Sequence, residues 1–200
     1  MKSKTWITIG IVVLVAVILY ISIKGSYNKM VQKDEAVTSQ WANVENVYQR
    51  RLDLIPNLVN TVKGYANFEQ QTLTQVVEAR AHATQVKVSP ENLNQESIQQ
   101  FQAAQNELSG ALSRLMVVVE QYPELKANQS FLDLQAQLEG TENRIAIERN
   151  KFNEVVRDYN TYIRRFPSNI WAALFNFDKR GYFESEAGAE KAPKVDFGTN

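Results

Sequence analysis

The sequence predicts an all-α protein, with an N-terminal transmembrane helix followed by an up-and-down four-helix bundle of long, coiled-coil-like helices. Three observations carry that expectation. Residues 5–23, TWITIGIVVLVAVILYISI, hold no charged side chain and lie between Lys4 and Lys24. Beyond them, apolar residues recur at steps of three and four, as one face of a helix turned to a core requires. No Asn-Gly or Asp-Gly pair joins two alternating runs, so no β-hairpin is signalled.

The anchor comes first in the chain. Nineteen residues at about 1.5 Å each make about 28 Å of helix, close to the hydrocarbon thickness of a bilayer. Trp6 and Tyr20 stand near its two ends, where interfacial aromatics sit. A cleaved signal peptide has a shorter apolar run and a small-x-small exit, whereas this run leaves through Tyr20-Ile21-Ser22-Ile23-Lys24. Residues 1–24 are therefore read as an uncleaved anchor with a short N-terminal tail. Lys2 and Lys4 face Lys24, Lys29 and Lys33 across it, a small excess that favours a cytoplasmic C-terminal domain.

Gly25-Ser26 is expected to break or redirect the helix. The first stripe of the domain at 25–183 runs Met30/Val31, Val37, Trp41, Val44, Tyr48, Leu52, with Asp34 its one polar member. Asp53 can cap a second helix with Pro56 in its first turn, where a missing N–H costs little. Its stripe is Ile55, Leu58/Val59, Val62, Tyr65/Ala66, Leu73, Val76/Val77. The alternative is one kinked helix through Pro56. That choice sets the parity of the bundle: with four helices, the segment after Pro167 returns to the membrane, and with three it lies at the distal tip.

Ser89-Pro90-Glu91 reads as a break and a restart, with a capping Ser, Pro at the first helical position and an acid in the first turn. The third stripe alternates strictly: Ile98, Phe101, Gln105, Leu108, Leu112, Leu115, Val119, Tyr122, closed by Pro123. The fourth runs Phe131, Leu134, Leu138, Thr141, Ile145, Glu148, Phe152, Val155, Tyr159, Tyr162, Phe166, ended by Pro167. A 3,4 alternation has a 3.5-residue period, which predicts near-parallel, left-handed packing. The polar members Thr141 and Glu148 are expected to fix register. Residues 168–183 form a short amphipathic segment, and 184–200, rich in Gly, Ala, Glu and Lys, read as a disordered tail.

Composition narrows the function. The 200-residue chain is 44% hydrophobic and 22% charged, ordinary for a folded protein. With Lys2 and Lys4 set aside, 20 basic residues face 22 acidic ones, so the domain lacks the basic footprint that nucleic acid needs. Absence of cysteine removes thiol catalysis, disulfides and thiolate metal sites.

Several segments resemble the LemA family: Arg50-Arg51-Leu52-Asp53-Leu54-Ile55-Pro56-Asn57-Leu58-Val59, Thr61-Val62-Lys63-Gly64-Tyr65-Ala66, Val77-Glu78-Ala79-Arg80-Ala81, Glu120-Gln121-Tyr122-Pro123-Glu124-Leu125-Lys126-Ala127-Asn128 and Leu138-Glu139-Gly140-Thr141-Glu142-Asn143-Arg144-Ile145-Ala146. Tyr159-Asn160 and Phe166-Pro167 fit as well, so the likeness runs collinearly from about residue 27 to 183. It implies an N-terminal anchor, an extracytoplasmic N-terminus, a cytoplasmic helical bundle and no established enzymatic activity.

A search for chemistry finds little. His82 is the only histidine, and Glu78 stands four residues before it on one face. A di-iron bundle needs a Glu-x-x-His on each of two helices, so no metal, cofactor or catalytic residue is assigned. Glu139 and Glu142 read as salt-bridge partners. Arg50, Arg51, Asp53 and Asn57 cluster at the expected first interhelix turn, either capping it or presenting two arginine forks as a docking tip. Trp171, Phe175, Phe177, Lys179 and Arg180, with Tyr182 and Phe183, either cap the bundle core or join Trp6 and Tyr20 at the membrane interface.

The function expected is a non-enzymatic membrane-anchored scaffold or adaptor, with cell-envelope maintenance as its setting. The alternatives are a self-assembling protein that contacts or remodels the bilayer and, with little weight, a carboxylate- or metal-dependent enzyme. Expected partners are the lipid bilayer through residues 5–23, unidentified membrane or envelope proteins and a second copy of the chain.

Overall fold

The computed structural model describes residues 2–64 and 69–184, with side chains from Trp6 onward. Seam positions Tyr65 and Ala66 and the tail 185–200 lie outside the described residues. Among the described residues there are six α-helices, one short 3-10 turn and no strand, rather than four helices and an anchor.

Helix α1, Lys2–Lys63, runs unbroken from the apolar segment into the domain. Gly25-Ser26 does not interrupt it, because a helical glycine costs only about 1 kcal/mol against alanine, which strong flanking turns outweigh. The second expected break is also absent: Pro56 lies inside the helix. Proline removes the bond its N–H would give to the carbonyl four residues earlier, here Leu52. Arg80 replaces that donor, its Nε lying 3.0 Å from the Leu52 oxygen. Asp53 is therefore not a cap; it is exposed, and its Oδ1 accepts from Gln49 Nε2 at 2.7 Å within the same helix.

The next helix is α2, Gln70–Gln85. Ser89-Pro90-Glu91 does not restart an α-helix. Pro90–Asn92 form a single 3-10 turn, and α3, Gln95–Val119, begins one step later with Asn94 Oδ1 accepting from Ser97 N at 2.9 Å. A one-turn helix, α4 (Pro123–Lys126), leads to α5, Gln129–Arg164, capped by Asn128 Oδ1 on Phe131 N at 3.0 Å. Helix α6, Ser168–Leu174, follows a cis Phe166–Pro167 peptide. It closes through Asn176 at φ 58°, with Phe177 N donating to Ala172 O at 2.9 Å, a left-handed exit that asparagine tolerates.

Side-chain bonds give the directions. Arg80 meets Leu52, and Trp41 Nε1 donates to Val88 O at 3.2 Å, so α2 runs back along α1. Helix α3 returns alongside it, with Phe101 against Tyr48 and Ser109 against Arg51. Helix α5 comes down α1 again, with Glu142 at Arg51 and Glu148 at Gln40. The reversal of direction that the sequence suggested at Pro56 thus falls between α1 and α2 instead. Helix α6 packs on α1 and α5, and Phe175 lies against Tyr27, three residues past Lys24.

Buried side chains form two clusters. The one far from the anchor holds Ile55, Leu58, Val62, Leu73, Val76, Leu108, Leu115, Leu125 and Phe131. The near one holds Met30, Val37, Trp41, Val44, Ile98, Phe101, Phe152, Val156, Tyr159 and Phe183. The strict seam expected for α5 drifts at its end, where Val156 and Ile163 are buried and Phe166 is 81% exposed. A straight α-helix rotates about 20° per heptad against a 3.5-residue seam, enough over 36 residues to bring the neighbouring row inward.

Candidate interaction surfaces

The arginine cluster is not at a turn. Arg50, Arg51, Asp53 and Asn57 sit within α1, at least six residues before its end at Lys63, and they diverge around the helix. Arg51 is buried, its Nη2 2.7 Å from Ser109 Oγ and 3.1 Å from Glu142 Oε2. Arg50, Asp53 and Asn57 face outward. A two-arginine fork on one face is therefore not formed.

What Arg51 does form is a polar layer between the two apolar clusters. Gln105 and Thr141 are each 2% exposed at the same level, and Thr141 Oγ1 donates to Gln137 O at 2.8 Å. Tyr48 borders the layer, and burial pushes its hydroxyl up to about 12 despite the nearby Arg149 and Arg51. One polar stratum in an apolar seam penalises any slip of one helix past another, since a slipped register leaves these groups facing hydrocarbon. Glu148 lies outside this layer, bonded to Lys151 Nζ at 2.8 Å and to Gln40 Nε2 at 2.7 Å, and those two bonds lower its pKa.

The segment 175–184 forms a strap along the near cluster. Asn160, Gln95, Asn153 and Gln102 each bond both the N–H and the C=O of one strap residue: Arg180, Tyr182, Phe183 and Glu184 respectively. Gln95 and Gln102 are seven apart on α3, and Asn153 and Asn160 seven apart on α5, so two amide rows flank the strap as neighbouring strands would. The Phe183 ring stacks on Trp41 at 6.0 Å and 17°.

Arg180 fastens the strap to α1. Its Nε and Nη2 reach Asp34 at 3.0 and 2.8 Å, and its Nη1 donates to Pro90 O and Glu91 O at 3.2 and 3.0 Å. This places the lone polar residue of the first seam, and it turns Arg180 inward rather than towards lipid. Glu184, read from the sequence as the start of a disordered tail, is tied to α3 and α5: its main chain pairs with Gln102, and its C=O also accepts from Arg149 Nη2 at 2.8 Å.

The other candidates at this end divide. Trp171 and Phe177 pack against the near cluster, and the Trp171 Nε1 is buried with no hydrogen-bond partner. Lys179 is exposed and Phe175 is 40% exposed. Sequence reasoning did not single out Ile170 and Leu174, 50% and 64% exposed on the outer side of α6. Their four-residue spacing, continuing from Phe166, was the available signal. Trp6 and Tyr20 are exposed on α1, whose apolar part is long and apolar enough to cross a membrane.

Towards the middle of the molecule, His82 Nδ1 lies 2.7 Å from Glu107 Oε2 on α3, both more than half exposed. Glu139 accepts from Gln135 within α5. Among the described residues, no three His, Asp or Glu side chains converge on a point that could hold a metal ion. An open groove of about 340 Å³ between α1, α2 and α3 is lined by Glu45, Tyr48, Ala83, Lys87, Phe101 and Gln105, among others.

Comparison with known proteins adds a family context. A family model described as "LemA family" matches residues 40–197. Magnetosome protein MamQ 2 of Paramagnetospirillum magneticum is 26% identical over 181 residues, covering 82% of this chain and 66% of that protein. Magnetosome protein MamQ of Magnetospirillum gryphiswaldense is 27% identical over 180 residues, covering 81% and 66%. Protein LemA of Metamycoplasma hominis is 22% identical over 183 residues, covering 92% and 78%. The chain spans just under two thirds of the length of the magnetosome relatives.

Proposed function

Because the chain belongs to the LemA family, we propose that it is a non-enzymatic scaffold, held in the cell membrane by residues 5–23 and offering its bundle to membrane or envelope proteins. In this reading α2, α3, α5 and the second half of α1 act as one up-and-down four-helix bundle on the cytoplasmic side. The observation that carries the proposal is the continuity of α1, one 62-residue helix shared by the apolar segment and the bundle. A flexible linker lets a domain search for ligand, whereas an unbroken helix fixes a surface at a set height and angle above the bilayer. That suits a protein whose product is position rather than turnover.

The test is in-cell crosslinking of the full chain followed by mass spectrometry. A scaffold should give a small, reproducible set of crosslinked proteins through exposed lysines such as Lys87 and Lys151, and the identity of those proteins reports which side of the membrane the bundle occupies. A chain that captures no specific protein and runs as a lone monomer from detergent would overturn it.

A further inference from the structure

We infer that α6, with the preceding Phe166, is a second membrane contact: its outer face lies in the headgroup layer beside the anchor and fixes the bundle against the bilayer. The inference rests on the membrane-anchored part of the proposed function and is independent of any protein partner.

Height comes first. Ile23 ends the uncharged run, and Tyr27 follows it four residues on in the same helix, about 6 Å further at about 1.5 Å per residue. The layer between hydrocarbon and water is of similar depth on each side of a bilayer. Phe175 touches Tyr27 edge-on at 5.0 Å and Phe177 does so at 5.8 Å, so the end of α6 lies at the headgroups by construction of α1.

Chemistry agrees with height. Phe166, Ile170, Leu174 and Phe175 are 81%, 50%, 64% and 40% exposed. In water four such side chains at one end of a domain are costly, and contiguous exposed apolar surface marks a contact site. The opposite side of α6 is covered by the bundle, with Ala172 buried and Trp171 packed inward. Arg164 and Arg165 are exposed just before Phe166, and Lys24 and Lys29 on the adjoining turns of α1. Apolar side chains bordered by cations fit a shallow seat among anionic lipids. Seven residues cannot cross a bilayer, which takes about 20, so the helix lies in the interface. A second copy of the chain could also cover an apolar face, but the continuous α1 already brings lipid to this one.

The chain lacks cysteine, so single spin labels report without background. The full chain carrying Ile170→Cys or Leu174→Cys is reconstituted in vesicles of mixed zwitterionic and anionic phospholipid. Labels at Val13→Cys in the anchor and Val117→Cys, an exposed position on α3 at the far end, serve as references. Collision with oxygen and with a water-soluble nickel chelate is then measured. The expected result is severalfold less chelate collision at residues 170 and 174 than at 117, with oxygen collision retained, and a return to the level of 117 when Phe166 and the unlabelled member of the pair are changed to Asp. Equal chelate access at 170, 174 and 117 with Val13 protected would overturn the second contact and leave the anchor standing. Protection accompanied by dipolar broadening between labels would overturn it in favour of a second copy. Chelate access at Val13 as well would remove the anchored premise, and the inference with it.

Discussion

Arg80 Nε donates to the backbone oxygen of Leu52 at 3.0 Å, and Leu52 stands four residues before Pro56. The guanidinium of one helix thus replaces a main-chain donor that proline removes from another. The DLIPNLV stretch is the most recognisable part of the chain, and it is also where α1 and α2 are fastened.

Arg80→Ala should therefore destabilise the domain by about 1–3 kcal/mol, the cost of leaving a buried acceptor unsatisfied. In a Pro56→Ala background the helix regains its own N–H, and the same change at Arg80 should cost clearly less. A double-mutant cycle from unfolding of the chain in detergent measures the difference; additive effects would show that the two residues are not coupled.

The Asp34–Arg180 pair is partly shielded, its side chains 28% and 17% exposed. Solvent screening places the loss from Arg180→Ala at about 1–3 kcal/mol, below that of a fully buried pair. The local readout is hydrogen exchange of the Gly181 amide, which donates to Leu93 O at 2.8 Å. That amide should lose protection in Asp34→Ala and Arg180→Ala alike, while amides of α2 keep theirs.

Gly181 is held by close approach. A Cβ there would lie 2.7 Å from Asn94 O, Gln95 N and Gln95 Cα, all backbone atoms that cannot rotate away. Gly181→Ala should lift the strap at a cost of about 1–3 kcal/mol, as overpacking does. Phe183 would then leave Trp41, and with Trp6 and Trp171 replaced by Phe, the emission of Trp41 should shift to longer wavelength.

Burial pushes the hydroxyls of Tyr48 and Tyr159 from 10.0 up to about 12. A folded-state value above the unfolded one favours the protonated form, so their contribution is complete below pH 10 and lost as pH rises towards 12. The unfolding temperature should be insensitive to these groups near neutrality and fall steeply above pH 10. Tyr48→Phe, which has no proton to lose, should show a smaller fall across that window than the parent chain.

The apolar seams were legible because helix periodicity is a local property: Val37, Trp41, Val44 and Leu108 needed only their spacing. Breaks were harder. Asp53 and Pro56 carry the residue types of a helix start, and what overrules them is Arg80, a contact across 28 residues. The same limit hid the strap, since nothing local in Asn153 or Asn160 says that a main chain will lie between them and Gln95 and Gln102. Only their heptad spacing on two helices hinted at paired rows. Arg51 was visible as a special arginine, yet its level in the bundle depended on whether α1 stopped at residue 52 or 63.

The unbroken path of α1 through Gly25-Ser26 has a mechanical consequence. From Lys24 to Lys63 the helix extends about 60 Å at about 1.5 Å per residue, so it acts as a pointer rooted in the bilayer. Transmembrane helices change tilt when hydrocarbon thickness changes. On a pointer of that length, a lean of about 20° carries the far end about 20 Å sideways. Local bilayer thickness would thereby become a displacement at the opposite end of the protein, where Val62, Leu125 and Phe131 close the distal core.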